Sequence, residues 1–156
     1  MYFGRMMLVG VAVMGMTLAG CGSTSPSKKT TTPTSTSPTK QPTLGSPTAR
    51  YCQGCGQVKP SEINMEGDPT SVVTSIKWSS WGGSQATGVG IGWYVGPKQL
   101  TAAGTYEPTT VVAFKLGKCG STYGYGAVAW YYPQDGQKFT PANGYYNTCT
   151  GTGVGR

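Results

Sequence analysis

The side chains able to move protons in this chain are few. There are five carboxylates, Glu62, Glu66, Asp68, Glu107 and Asp135, and no histidine. Without imidazole there is no Ser-His-Asp or Cys-His arrangement and no usual metal ligand or general base. A glycosidase needs two carboxylates converging on one bond. Glu62, Glu66 and Asp68 are close in sequence, but the turn-rich run from Glu62 to Pro69 reads as a solvated loop. Ser25-x-x-Lys28 lies in a Ser/Thr/Pro-rich stretch where no pocket can form. Gly-x-Ser-x-Gly and the phosphate-cradling Gly-Lys-Thr/Ser loop are both missing from the sequence. The reading is a non-enzyme with no cofactor and no metal. The alternative is a small envelope enzyme acting on glycans through Glu62, Asp68, Glu107 or Asp135.

Thiols are the second chemistry on offer. Cys52-Gln53-Gly54-Cys55 has the spacing of a redox pair, but Gly56 and Pro60 follow it. A redox pair needs a helix N-terminus to lower its thiol pKa, and no helical pattern follows here. A structural zinc site wants a second tight pair or histidines. Cys119 and Cys149 are far apart, so the four cysteines read as two disulfides in an exported domain. Cys119 with Cys149 would tie the loop after a strand to the C-terminal tail. Such a bridge contributes roughly 3 to 4 kcal/mol. By elimination Cys52 pairs with Cys55, with Gly54 easing the tight ring. Crossed pairing is the alternative.

The fifth cysteine belongs to the first twenty-one residues. Arg5 supplies a positive charge, and Met6 to Leu18 is an apolar run. That run is shorter than the roughly 20 residues of a membrane span. It fits a secretory signal with small residues at its cut site. Leu18-Ala19-Gly20-Cys21 resembles the lipobox of bacterial lipoproteins. The resemblance implies that residues 1–20 are a signal peptide. It also implies that the Cys21 thiol carries a diacylglyceryl group and anchors the chain to the extracytoplasmic face of the cell membrane.

Charge is distributed unevenly along the chain. Its formal net charge is +7. Residues 22–50 hold Lys28, Lys29, Lys40 and Arg50 and no acid. The excess therefore sits mostly outside the part that can fold. Nucleic-acid binding would want a cationic face on the folded part, so no nucleic-acid partner is expected. A basic tether suits anionic headgroups.

The elements that must position any site come after this tether. Twenty of residues 22–50 are Ser, Thr or Pro, so residues 21–50 form a polar stretch with Leu44 the one sizeable apolar side chain. A segment of this kind reads as a disordered spacer. Residues 51–156 read as the folded domain. Val72, Thr74, Ile76 and Trp78 alternate with Val73, Ser75 and Lys77. Val89, Ile91, Trp93 and Val95 alternate with glycines and Tyr94. Thr109 to Leu116 is β-branched, and Val128, Trp130 and Tyr132 alternate with Ala129 and Tyr131. A short strand is expected around Glu62 to Met65. Period-2 runs divided by Gly82-Gly83, Gly96-Pro97, Asp135-Gly136 and Asn143-Gly144 predict an all-β fold. It is expected to be a compact antiparallel sandwich or small barrel of about five to seven strands, stapled by disulfides.

What remains for function is aromatic. The four tryptophans and most of the ten tyrosines fall within the folded part. Parity puts Trp78 with Ile76 and Trp93 with Ile91 on the core side. Trp81, just before Gly82-Gly83, then points elsewhere or ends its strand. Tyr94 and Tyr131 lie opposite Trp93 and Trp130. Trp81, Tyr94 and Tyr131 are thus the candidate ligand contacts, and core mass is the competing use for all the rings.

Lys77-Trp78-Ser79-Ser80-Trp81-Gly82-Gly83, then Ala86-Thr87-Gly88-Val89-Gly90, then Trp130-Tyr131-Tyr132-Pro133 and Phe139, resemble small secreted or lipid-anchored actinobacterial domains with a Trp-x-x-Trp-Gly-x-x-x-Ala-x-Gly-x-Gly pattern. The likeness implies an actinobacterial envelope protein and no particular activity. These domains often have a cysteine pair after the position of Tyr94, where this chain has Gly96-Pro97-Lys98-Gln99-Leu100-Thr101. The expectation is a lipid-anchored, non-catalytic module that binds a cell-wall polymer or an envelope protein. A purely structural or antigenic surface domain is a third reading.

Overall fold

The computed structural model describes residues 40–155. The signal segment, Cys21 and the tether through residue 39 lie outside the described residues. The strands are β1 (Thr43–Leu44), β2 (Cys52–Gln53), β3 (Ile63–Met65), β4 (Val72–Trp78), β5 (Ala86–Tyr94), β6 (Thr105–Cys119), β7 (Thr122–Tyr131), β8 (Tyr145–Asn147) and β9 (Thr152–Val154). No α-helix occurs among the described residues.

All nine strands belong to one sheet, in which β2 to β9 follow chain order and each neighbour is antiparallel. The sheet is curled into an open half-barrel. The all-β, antiparallel expectation holds, but the strand count exceeds five to seven. The extra elements are two or three residues long, too short to display a period of two. The cysteines pair as Cys52–Cys55 and Cys119–Cys149.

The folded part begins before Tyr51, which corrects the tether expectation for residues 43–50. β1 pairs in parallel with β7, Thr43 opposite Gly124 and Leu44 opposite Tyr125. On its other side, the Leu44 N–H donates to the Gln57 carbonyl at 2.8 Å, and the Gly56 N–H donates to the Leu44 carbonyl at 2.6 Å. β1 thus lies between β7 and the loop closed by Cys52–Cys55. The Leu44 side chain is wholly buried in the core. Gly45 must be glycine: its φ is +58°, and a Cβ there would lie 2.1 Å from the Thr148 carbonyl oxygen. One apolar side chain with a matching slot is enough to order the end of a polar segment.

The main core lies within the curl. It contains Leu44, Ile63, Val73, Ile76, Val111, Tyr125, Val128 and Trp130. A second cluster, built on Val112, Phe114, Ala127 and Ala129, covers the other face of β6 and β7. Phe139 and Tyr145 close it, their rings 5.3 and 5.5 Å from Phe114. Covering on both faces accounts for the continuous apolar run Val111–Phe114.

Two parity expectations fail for identifiable reasons. In β4 the register slips between Thr74 and Lys77, and Ser75 is left-handed at φ 55°. This bulge lets Val73 and Ile76, three residues apart, both face inward. Val72 and Thr74 therefore do not share the core side, whereas Trp78 packs against the main core with Ile76 as expected. In β5 the inward positions are Ala86, Gly88, Gly90 and Gly92. A Cβ on Gly90 would meet Val73 Cγ1 at 2.7 Å, and one on Gly92 would meet the Tyr132 hydroxyl at 2.7 Å. The glycines let the bulged β4 and the Tyr132 ring approach closely. Val89, Ile91 and Trp93 consequently face outward, with Val89 53% exposed, and neither Ile91 nor Trp93 is core.

Candidate functional site

A cleft of about 390 Å³ opens at one end of the inner core, where the ends of β5 and β7 meet the β3–β4 connection. Its floor is aromatic: Trp130, Tyr132 and Tyr146, of which Trp130 and Tyr146 stack at 5.2 Å. Tyr94 forms a wall, half-buried, with its ring 4.9 Å from that of Tyr132. Trp93 stands at the edge, packed edge-on against the exposed Tyr106 at 4.7 Å. The rim is polar, with Glu66, Asp68, Thr70 and Gln137.

The fold fixes each rim group through backbone bonds. Asp68 Oδ1 accepts from the Thr70 N–H at 2.8 Å and from the Thr70 hydroxyl at 2.5 Å, capping the short 3-10 turn Pro69–Ser71. Glu66 Oε1 accepts from the Gly153 N–H at 3.1 Å, joining the β3–β4 connection to β9. Gln137 Oε1 accepts from the Tyr132 N–H at 3.1 Å. The second carboxylate oxygens, Asp68 Oδ2 and Glu66 Oε2, take part in none of these bonds.

Two more carboxylates act on Tyr94. Glu107 accepts from the Thr105 hydroxyl at 2.7 Å and from Gln134 Nε2 at 2.9 Å. The bonds from Gln134 and then Thr105 hold its pKa below the usual value. Asp135 is pushed up, first by desolvation and then by the neighbouring Glu107 charge. Desolvation, followed by the charges of Asp135 and Glu107, raises the Tyr94 phenol. Among the described residues, no cluster of three or more Asp, Glu, His or Cys side chains is spaced to hold a metal.

The three candidate contacts do not converge. Trp81 is wedged between Trp78 and Tyr125, with centroids 4.6 and 5.0 Å away. Its indole N–H donates to the Pro42 carbonyl at 2.8 Å. It packs against the core and holds down the strand entering from the tether. Tyr131 faces the second cluster with Phe139, beside a separate depression. Only Tyr94 reaches the cleft. It shares the inner side with Trp130 and Tyr132, so grouping it with Tyr131 is corrected by the glycine face of β5. Glu66, Gln137 and the aromatic floor were not among the expected site residues, and Asp68 was expected only for the enzyme alternative. The Trp130/Tyr132 alternation was the one available signal for the floor.

On the outer face, Val89, Ile91 and Tyr106 leave an exposed apolar strip on β5 and β6, with Tyr106 74% exposed. The chain matches no family model, no curated protein and no solved structure.

Proposed function

We propose that this is a lipid-anchored protein of the cell envelope whose β domain is a non-catalytic binding module for a cell-wall polymer. The observation that carries the reading is the open cleft with an aromatic floor and a hydrogen-bonding rim. Rings stack on the apolar face of a sugar, and carboxylate, amide and hydroxyl groups take its hydroxyls. Leu18-Ala19-Gly20-Cys21 supports the anchor. Two disulfides suit an oxidising compartment outside the cytoplasm.

A second reading, a glycan-cleaving enzyme, draws on Glu107 and Asp135, whose proton affinities are driven apart as in an acid–base pair. Neither of them lines the cleft, and Glu107 is held by Thr105 and Gln134, which argues against it.

The test is co-sedimentation of the full-length protein, held in detergent, with isolated cell wall. Saturable binding competed by soluble wall fragments, and lost in a Tyr94→Ala variant with an unchanged melting temperature, is expected. Absence of binding by the native protein would remove the wall-polymer reading. Release of reducing ends from the wall would favour the enzyme.

A further inference from the structure

We propose that the cleft selects a sugar bearing a free, positively charged amine, an unacylated amino sugar, over its neutral N-acylated counterpart. The inference rests on the reading that the cleft binds wall glycan, and it names the class of sugar.

The chain as a whole is basic, yet this cleft is acidic. Glu66 and Asp68 form its rim, and no lysine or arginine lines it. Glu107 and Asp135 act on Tyr94 from beyond its wall. Glu66 and Asp68 thus line the same cleft as Tyr94, and the charges of Asp135 and Glu107 reach Tyr94 from outside it. An anionic polymer would be repelled from such a cleft, and a neutral sugar would gain nothing from the concentration of charge. An ammonium gains twice: from the carboxylates, and from the faces of electron-rich rings. The polar rim and aromatic floor favour a pyranose ring carrying that ammonium over a lysine side chain, which offers no ring face to stack.

Each rim carboxylate can be neutralised without removing its structural bond. Glu66→Gln keeps an oxygen to accept from Gly153, and Asp68→Asn keeps one to accept from Thr70. The double variant should therefore fold as the parent does, which its melting temperature checks.

The experiment titrates the full-length protein with glucosamine oligomers and with N-acetylglucosamine oligomers of the same length, in mildly acidic buffer, following tryptophan fluorescence and calorimetric heat. Binding of the free-amine oligomer about tenfold tighter than the acetylated one is expected. That margin should shrink in high salt and vanish in the Glu66→Gln/Asp68→Asn variant. Equal binding of both oligomers, or tighter binding of the acetylated one, overturns the inference and leaves the wall-glycan reading standing. Wall binding with neither oligomer bound also overturns it. Binding of a lysine-rich peptide in preference to both would replace the sugar with a protein partner. No binding to oligomers or to wall sinks both proposals.

Discussion

Leu44→Ala is the substitution that bears most directly on where this domain begins. Leu44 is fully buried in the main core, in a two-residue strand preceded and followed by polar sequence. Removing a fully buried leucine side chain costs about 3 kcal/mol, transfer and cavity terms together. For a domain of this size each kcal/mol lowers the melting temperature by about 4 °C, so the variant should melt about 12 °C lower. Starting the chain at Tyr51 goes further. It also removes the β1 pairing with β7, the two bonds between Leu44 and the Gly56–Gln57 loop, and the Pro42 acceptor of Trp81. At about 1 kcal/mol net for each hydrogen bond, Leu44 and the last three of these bonds reach about 6 kcal/mol before the β1–β7 pairing is counted. That approaches the whole stability of a typical domain, about 5 to 15 kcal/mol. Thermal melts followed by near-ultraviolet circular dichroism measure both. A Leu44→Ala shift below about 2 °C, or a chain from Tyr51 that melts like one from Lys40, would refute the assignment of β1 to the fold.

Two further outcomes test the staples and the acidic cluster. Loss of Cys119–Cys149, which closes 30 residues, should cost about 3.5 kcal/mol, and loss of the three-residue Cys52–Cys55 link about 2 kcal/mol; paired Cys→Ser variants compared by denaturant melts check the order, and a larger loss at Cys52–Cys55 would show that its hold on Leu44 outweighs loop entropy. The raised pKa of Asp135 means the folded state keeps a proton there to higher pH than the unfolded chain does, so this contribution is full below the unfolded carboxyl value and fades as pH rises through the folded one. Glu107, lowered, contributes above its unfolded value and loses that as pH falls. Asp135→Asn should therefore stabilise the domain at neutral pH relative to the parent and not in acid, and should let Tyr94 ionise at lower pH. Melts across pH and tyrosinate absorbance follow both, and a parallel shift at every pH would count against the raised Asp135 carboxyl.

Much of the architecture was legible before any fold was known. β-branched alternation located the strands β4 to β7, and the turn signals separated them. Four cysteines beyond the expected signal segment and Cys21 implied two disulfides. The absence of histidine removed the commonest catalytic arrangements. These are local properties, set by side-chain shape and by which groups titrate, and they survive whatever packs against them.

The facing of each strand was decided only by tertiary structure. A single left-handed residue, Ser75, reverses parity along β4, and no side-chain pattern announces it. In β5 the apolar residues face solvent because the space inside is already filled by Val73, Ile76 and Tyr132, leaving room for hydrogen atoms alone. That inversion carries Tyr94 into the cleft and Trp93 to its edge. Leu44 is ordered by a slot between β7 and the Cys52–Cys55 loop, built from residues distant in the chain. The meeting of Glu66 and Asp68 with Trp130 and Tyr146 is likewise a product of curling one sheet until its ends approach. Composition determined that this protein would be an aromatic, disulfide-linked β domain. Curvature and close backbone contact decided which of those aromatics a ligand could touch.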